Sequence, residues 1–165
     1  MTNLASLVAD LAAELETREL RLAAAESCTG GLLAATLTGM PGSSAWFVAS
    51  LVTYQLSAKT ALLGVPADLL AAEGAVNRRV AELMAAGALE RTGADLAVAT
   101  TGLAGPDGDG TQVPVGTLWV AWAGRNPDWV AAKRYELHEP RLDFREDAVE
   151  AALRGLVERL QSLPA

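Results

Sequence analysis

The stretch LAAAESCTGGLLAATL, residues 22–37, contains a strand, a turn and the start of a helix in direct succession. Leu22 to Ala25 form a short apolar run, typical of a buried strand, and residues 32–37 have a helical pattern. A polar turn with two glycines joins them. This order places the end of a strand beside the start of a helix, where main-chain N–H groups without intrahelical acceptors collect.

Strand and helix patterns alternate on both sides of this stretch. Alternation over the first hundred residues predicts parallel crossovers, and the short connection 124–128 predicts an antiparallel hairpin. We therefore expect one α/β domain over residues 1–165, with a mixed sheet and helices on both faces. The predicted strands are 22–25, 46–54, 96–100, 115–123 and 129–137, and the predicted helices are 4–15, 32–37, 57–63, 67–73, one that Asn77 caps, and 143–160.

The charge balance narrows the classes of partner. Twenty acidic residues against 13 basic ones give a formal net charge of −7, so we expect neither a nucleic acid nor an anionic membrane as partner. The amino-terminal residues lack a basic start followed by an apolar run, and no apolar stretch is long enough to span a bilayer. The expected location is the cytoplasm.

The chain has few residues that could form a disulfide or bind a metal ion. Cys28 is the single cysteine and His138 the single histidine, so an intrachain disulfide and a Cys/His zinc site are excluded. Asp107 and Asp109 lack the downstream glutamate of an EF-hand loop. His138, next to Glu139, has no catalytic motif around it, and we assign it a structural role. We expect no metal and no cofactor.

The turn Ser27 to Gly31 is the first candidate site. Open α/β sheets bind ligands beyond the carboxyl ends of their strands, and Gly30 and Gly31 would let an oxygen approach main-chain N–H groups. Alternatively, Ser27 or Thr29 caps the next helix and Cys28 is a packing residue. No lysine follows the glycines, so the turn is not a Walker loop.

A second candidate is the segment with Tyr54 and Lys59, just past a predicted strand. Only two of the 13 basic residues are lysines, Lys59 and Lys133. A lysine can act as a base once its pKa is lowered, whereas an arginine cannot. A solvated helix residue is the simpler alternative for Lys59.

Two further candidates could bind an anion. Thr101 and Gly102 begin a glycine- and proline-containing loop at another strand end, where main-chain N–H groups could hold an oxyanion or a phosphate. Arg141 and Arg145, four residues apart at the start of the last helix, present two guanidinium groups on one face. Surface ion pairing is the alternative for these arginines.

Taken in order, six motifs resemble one family, the carboxy-terminal domain of the competence/damage-inducible protein CinA. The resemblance spans about residues 5–160. The motifs are AESCTGG (25–31), PGSS (41–44), Tyr54 with AK (58–59) and LGV (63–65), GAV (74–76), TGLAGP (101–106) and PVGT (114–117).

The resemblance implies a three-layer α/β/α sandwich with a five-stranded mixed, mostly parallel sheet. Stand-alone members are nicotinamide-nucleotide amidases, which hydrolyse nicotinamide mononucleotide to nicotinic acid mononucleotide and ammonia without a metal, and a homodimer or higher homo-oligomer is implied as well. Ser27 matches the motif serine and Lys59 the motif lysine. The other pocket positions are matched by Tyr54, Thr101 and Gly102.

The residues themselves fit amide hydrolysis, which needs a nucleophile, a base, an acid and oxyanion donors. With His138 set aside, Ser27 and Lys59 form the simplest nucleophile and base, with Tyr54 helping to hold the lysine and Cys28 as the rival nucleophile. The oxyanion is assigned to N–H groups of residues 29–31 or 101–102, and the phosphate to the remaining turn with Arg141 or Arg145.

The chain departs from the family pattern at residues 55–57, at Asn77 and at residues 139–140. Two alternatives are left open, the first of them motivated by the departures at residues 55–57 and 139–140. One is a non-catalytic nucleotide-binding or regulatory module, and the other is an amidase for a different pyridine or amide substrate.

Overall fold

The computed structural model describes residues 4–126, 128–138 and 140–163. Its five strands are β1 (Leu22–Glu26), β2 (Phe47–Val52), β3 (Leu96–Gly102), β4 (Thr117–Gly124) and β5 (Trp129–Glu136). Its six α-helices are α1 (Leu4–Thr17), α2 (Leu32–Thr38), α3 (Leu56–Leu63), α4 (Ala67–Glu73), α5 (Arg78–Thr92) and α6 (Arg141–Ser162), and a single 3-10 turn covers Ser43–Ala45. The predicted alternation of strands and helices is confirmed.

The strands form one mixed sheet in the order β2-β1-β3-β4-β5. β1 pairs in parallel with β2 and with β3, whereas β4 pairs antiparallel with both β3 and β5. Four strands therefore run in one direction and β4 alone runs in the other. The carboxyl ends of β1, β2 and β3 consequently meet the start of β4 at one edge of the sheet.

Helices cover both faces of the sheet and enclose two cores, which confirms the three-layer α/β/α architecture. The first core joins α1, α2 and α6 to one face, with Leu22, Val98 and Trp122 among its buried residues. The second joins α3, α4 and α5 to the other face, where the strands contribute mostly alanine, such as Ala97 and Ala121. Small side chains let α5 pack close to the sheet.

Local signals explain where two elements begin. Asn77 caps α5 as predicted, since its side-chain oxygen accepts a 2.9 Å hydrogen bond from the Val80 N–H. β4 begins at Thr117 rather than at the predicted residue 115, because Gly116 adopts a left-handed φ of 93°. α6 begins at Arg141 instead of residue 143, which places Arg141 in its first turn.

No helix in the described ranges combines the length and the apolar character that crossing a membrane requires.

Candidate active site

Successive side chains after β1 point to opposite faces of the sheet and so build two different environments. Ala25 belongs to the core beneath α5, and Ser27 points to the same side, where it meets α3. Glu26 and Cys28 point to the other side, where Glu26 meets α2. Two adjacent residues thus face opposite layers: Ser27 places its hydroxyl beside α3 and Glu26 places its carboxylate beside α2.

Ser27 and Lys59 are in direct contact. The Lys59 Nζ donates a hydrogen bond of 2.9 Å to the Ser27 Oγ. It also donates to the main-chain oxygens of Thr53, at 2.6 Å, and of Tyr54, at 3.4 Å. Lys59 is fully buried, so these oxygens and the hydroxyl take the place of water around its amine.

Burial changes the acidity of the lysine. Desolvation lowers the pKa of Lys59 from 10.5 to about 8, because a charged ammonium is costly to hold away from water. Near neutral pH the amine can therefore exchange its proton with a neighbour. A hydroxyl beside such an amine is the arrangement of a serine nucleophile with a lysine base.

Burial shifts the pKa of Cys28 in the direction opposite to that of Lys59. Burial raises the pKa of its thiol to about 12, so the sulfur remains a neutral thiol, which is a poor nucleophile. The Cys28 Sγ lies 3.2 Å from the position that a Cβ on Gly102 would occupy. Of the two candidate nucleophiles, Ser27 is the one whose side chain contacts the Lys59 amine.

Glu26 is a residue whose role the sequence analysis did not identify. Its fully buried carboxylate accepts five hydrogen bonds of 2.7–3.0 Å. The donors are the hydroxyls of Thr29 and Ser50 and the main-chain N–H groups of Gly31, Leu33 and Ala34. Glu26 therefore caps α2 from the end of β1 and fixes the turn that carries Ser27. The available signal was a single carboxylate ending an otherwise apolar strand.

The expected anion site at residues 29–31 is already occupied from within the protein. The Gly31 N–H and the Thr29 hydroxyl bind Glu26, and the Gly30 N–H binds the Ser27 carbonyl oxygen. None of the three residues lines the cavity that opens beside Ser27 and Lys59. These donors are thus engaged within the protein, where Glu26 provides the negative charge that the helix start favours. The binding of a substrate oxyanion or phosphate at this turn stays a prediction.

A cavity of about 960 Å³ opens beside Ser27 and Lys59. Its volume is typical of sites for small molecules and cofactors. It brings together the candidate residues of four separate segments. The lining includes Ser27, Cys28, Tyr54, Leu56, Lys59, residues 70–76, residues 101–104, Asp109, residues 111–114, Thr117, Trp119, Arg134 and Arg141.

The two candidate arginines have different surroundings. Arg141 lines the cavity and donates hydrogen bonds of 2.7 Å to the Tyr54 hydroxyl and to the Gly105 carbonyl oxygen. Arg145 lies outside the cavity lining and donates both of its contacts, at 2.7 and 3.2 Å, to the Thr29 carbonyl oxygen. Arg145 thus contacts the turn of residues 27–31 through the Thr29 carbonyl oxygen, and its predicted contact with a ligand stays a prediction.

Tyr54 contributes to the site in two ways. Its main-chain oxygen, not its hydroxyl, contacts the Lys59 amine. Its ring is largely exposed, and the hydroxyl accepts the hydrogen bond from Arg141. Tyr54 and Arg141 together form one side of the cavity.

Thr101 and Gly102 lie on the cavity wall at the end of β3. The Thr101 hydroxyl donates a 2.8 Å hydrogen bond to the Ala75 carbonyl oxygen and so fixes the loop before α5. A Cβ on Gly102 would lie 2.9 Å from both the Phe144 ring and the Thr117 carbonyl oxygen. Only glycine fits at this position.

The remaining candidates lie elsewhere. His138 is exposed in the connection that leads to α6, and Glu139 falls outside the described residues. Among the residues that the structure describes, no cluster of three or more His, Cys, Asp or Glu side chains could hold a metal ion.

Comparison with known families gives one consistent match. The family model for the CinA C-terminal domain matches residues 4–160. A CinA-like protein of Chlorobaculum tepidum is 50% identical over 149 residues, which cover 88% of this chain and 35% of that protein. The nicotinamide-nucleotide amidohydrolase PncC of Pseudomonas putida is 42% identical over 158 residues, covering 96% of this chain and 98% of that protein. The chain spans about a third of the length of the CinA-like relatives.

Solved structures show the same similarity. A crystal structure of a CinA superfamily protein from Klebsiella pneumoniae has a TM-score of 0.93 and 35% identity, covering 98% of this chain and all of that one. The competence/damage-inducible protein of Agrobacterium tumefaciens has a TM-score of 0.91 and 37% identity, with 98% of this chain and all of that one covered. The resemblance found in the sequence is thereby confirmed.

Proposed function

The chain belongs to the CinA C-terminal domain family, and on that basis we propose that it is a nicotinamide-nucleotide amidase. The proposed reaction converts the carboxamide of nicotinamide mononucleotide and one water into the carboxylate of nicotinic acid mononucleotide and ammonia. The similarity to the Pseudomonas putida amidohydrolase over nearly the full length of both chains supports the substrate class. The contact between the Ser27 Oγ and the Lys59 Nζ is the observation that carries the chemistry.

In the first step, the Ser27 Oγ attacks the carboxamide carbon while the neutral Lys59 amine takes its proton. The tetrahedral intermediate then collapses, the C–N bond breaks, and Lys59 returns the proton to the departing nitrogen as ammonia. An acyl ester on Ser27 remains. Water attacks this ester while Lys59 takes its proton. The C–O bond to Ser27 then breaks as Lys59 returns that proton to the Ser27 Oγ, and the acid product loses its own proton to solvent and leaves as the carboxylate.

The surroundings of Lys59 suit both halves of this cycle. Its lowered pKa, about 8, makes the free amine available near neutral pH. The carbonyl oxygens of Thr53 and Tyr54 accept its hydrogen bonds and stabilise the ammonium once it forms. The amine therefore remains aimed at the Ser27 Oγ in either protonation state.

We assign the main-chain N–H of Gly102 to the developing oxyanion. In the antiparallel pairing of β3 with β4, the Leu103 N–H bonds the Thr117 carbonyl oxygen. Hydrogen-bonding direction alternates along such a strand, so the N–H of Gly102 faces β1, on the side of Ser27. Gly102 and Ser27 line the same cavity, so an oxyanion formed at Ser27 would lie within reach of this N–H.

The deciding assay is ammonia release from nicotinamide mononucleotide by the purified protein without added metal. We expect stoichiometric formation of ammonia and nicotinic acid mononucleotide, and no ammonia from the Ser27→Ala variant. Free nicotinamide and glutamine serve as comparison substrates. Tight binding of the nucleotide without ammonia release over hours would contradict the proposal and indicate a nucleotide-binding module. A preference for another amide would change the substrate.

A further inference from the structure

Four residues form a single row across the sheet at the edge where the cavity opens. Ser27 follows the β1–β3 pair Glu26–Thr100, and its N–H bonds the Thr100 carbonyl oxygen, so it lies level with Thr101. Thr101 pairs with Trp119 on β4, and Trp119 pairs with Arg134 on β5. Neighbouring strands are about 4.8 Å apart, so this row extends roughly 14 Å from the Ser27 main chain to that of Arg134.

The side chains of this row share one face of the sheet. Trp119 packs against the core beneath α5, and so does Ala132, which lies two residues before Arg134 on β5. Directly paired residues point to the same face, which places Arg134 beside Trp119. All four row residues line the cavity. The row therefore forms a continuous floor that runs from the proposed nucleophile to a guanidinium group.

Among the described residues, three basic side chains line the cavity. They differ in how many hydrogen bonds and ion pairs they already make within the protein. Lys59 is engaged with Ser27 and two carbonyl oxygens. Arg141 donates to the Tyr54 hydroxyl and the Gly105 carbonyl oxygen. Arg134 has an exposed ion pair with Glu136 at 3.2 Å, its side chain being 44% accessible, and such a pair contributes little and exchanges readily.

An aromatic ring lies between the nucleophile and Arg134 in this row. The ring of a nicotinamide nucleotide is a pyridinium cation, and an indole face attracts such a cation. Trp119 is only partly buried against the core and contributes to the cavity wall. The order along the floor is thus the Ser27 hydroxyl, the Trp119 aromatic side chain and the Arg134 guanidinium.

This order matches the chemical order of the proposed substrate, which is carboxamide, pyridinium ring, ribose and phosphate. We propose that the nucleotide lies across the strands, with its carboxamide at Ser27, its ring against Trp119 and its phosphate on Arg134. This assignment rests on the proposed function, and it moves the phosphate away from the start of α2, where Glu26 occupies the N–H donors. Arg134 then leaves Glu136 to bind the phosphate oxygens.

The test compares nicotinamide mononucleotide with nicotinamide riboside, which lacks the phosphate. Arg134→Gln is expected to raise the KM for the mononucleotide about 10-fold and to leave kcat unchanged. A tenfold loss of affinity is the effect expected from removing one solvent-exposed contact between charged groups. The KM for the riboside should remain constant. Arg154→Gln is the matched control, because Arg154 is 47% exposed on α6 and also pairs with a glutamate, Glu150.

A binding measurement separates this proposal from the proposed function. Calorimetric titration of the Ser27→Ala protein with both ligands requires no turnover, and adding Arg134→Gln should weaken mononucleotide binding alone. Equal effects on both ligands, or no effect on either, would overturn the phosphate assignment even if wild-type protein releases ammonia. A selective loss of mononucleotide affinity in Arg141→Gln instead would place the phosphate at the Tyr54 side. Ammonia production by the wild type remains the independent measure of the amidase itself.

Discussion

The Nζ atom of Lys59 lies 2.9 Å from the Oγ atom of Ser27, although 32 positions separate the two residues along the chain. β1 and α3 bring them together, and the carbonyl oxygen of Thr53, at the end of β2, orients the amine from a third direction. Three elements therefore fix one donor and acceptor pair.

Replacing Lys59 by arginine tests its role as a base. The substitution keeps a positive charge but removes a group that can lose its proton near neutral pH. Ammonia release from nicotinamide mononucleotide should fall by about 10²- to 10⁴-fold. The control is Lys133→Arg, the chain's other lysine, whose amine lies over the Tyr135 ring, away from the cavity. Activity of Lys59→Arg equal to that of the control would exclude Lys59 as the base.

The pH profile should report the same group. With the pKa of Lys59 lowered to about 8, kcat/KM should rise about tenfold per pH unit below that value and level off above it, because only the free amine accepts a proton. Initial rates in overlapping buffers of constant ionic strength measure this profile. A flat profile between pH 6 and 9 would argue against the assignment.

The lowered pKa of Lys59 also predicts how stability changes with pH. Between about 8 and the ordinary value of 10.5, the unfolded chain binds more protons at this site than the folded one, so its contribution to the free energy of unfolding rises with pH. Below about pH 8 both states are protonated and the contribution is constant. Urea titrations at a series of pH values give the free energy of unfolding of the wild type and of Lys59→Met. The pH dependence of this free energy should differ between the two proteins only from about pH 8 to 10.5.

Cys28 should be dispensable for the chemistry. Its thiol, with a pKa raised to about 12 by burial, is protonated throughout the working range, so Cys28→Ala should retain activity within a few-fold. Ser27→Ala should lose at least about 10³-fold. The reverse result, an inactive Cys28→Ala beside an active Ser27→Ala, would make the sulfur the nucleophile.

Glu26→Gln should destabilise the fold by about 3 kcal/mol. An amide cannot accept the five hydrogen bonds that the carboxylate now receives, and its NH₂ group would face N–H donors. Urea unfolding followed by circular dichroism measures the loss. Glu136→Gln, at an exposed ion pair, is the control and should change stability by less than about 0.5 kcal/mol. A similarly small change for Glu26→Gln would show that the buried carboxylate contributes little.

Much of the fold was predictable because its signals are local. The apolar run 22–25 and the Asn77 cap each predicted an element that the structure contains. The strand order was not predictable in the same way, since nothing in the sequence of β1 states that β2 and β3 flank it. Long-range pairing depends on how the helices cover the sheet, which no local pattern encodes.

The site was predictable in part for the same reason. Ser27 and Lys59 belong to recognisable motifs, but which hydroxyl faces the lysine depends on the alternation of side chains after β1. Glu26, and Arg134 with its proposed phosphate contact, were not identified from the sequence because each is a common charged residue whose place in the sheet no local pattern shows. At the glycine turn, main-chain donors are taken by Glu26, a residue only five positions earlier than Gly31, and no local pattern shows that pairing.

Because Ser27 follows β1 and Lys59 lies on α3, the proposed amidase activity depends on the position of one short helix. α3 has eight residues, too few to persist as a helix without support, and Leu63 attaches it to the second core. When warming loosens this attachment, the amine withdraws from the hydroxyl while the sheet is still intact. Thermal inactivation is therefore expected at a lower temperature than the unfolding of the domain. The loss of turnover on heating would then report the detachment of α3.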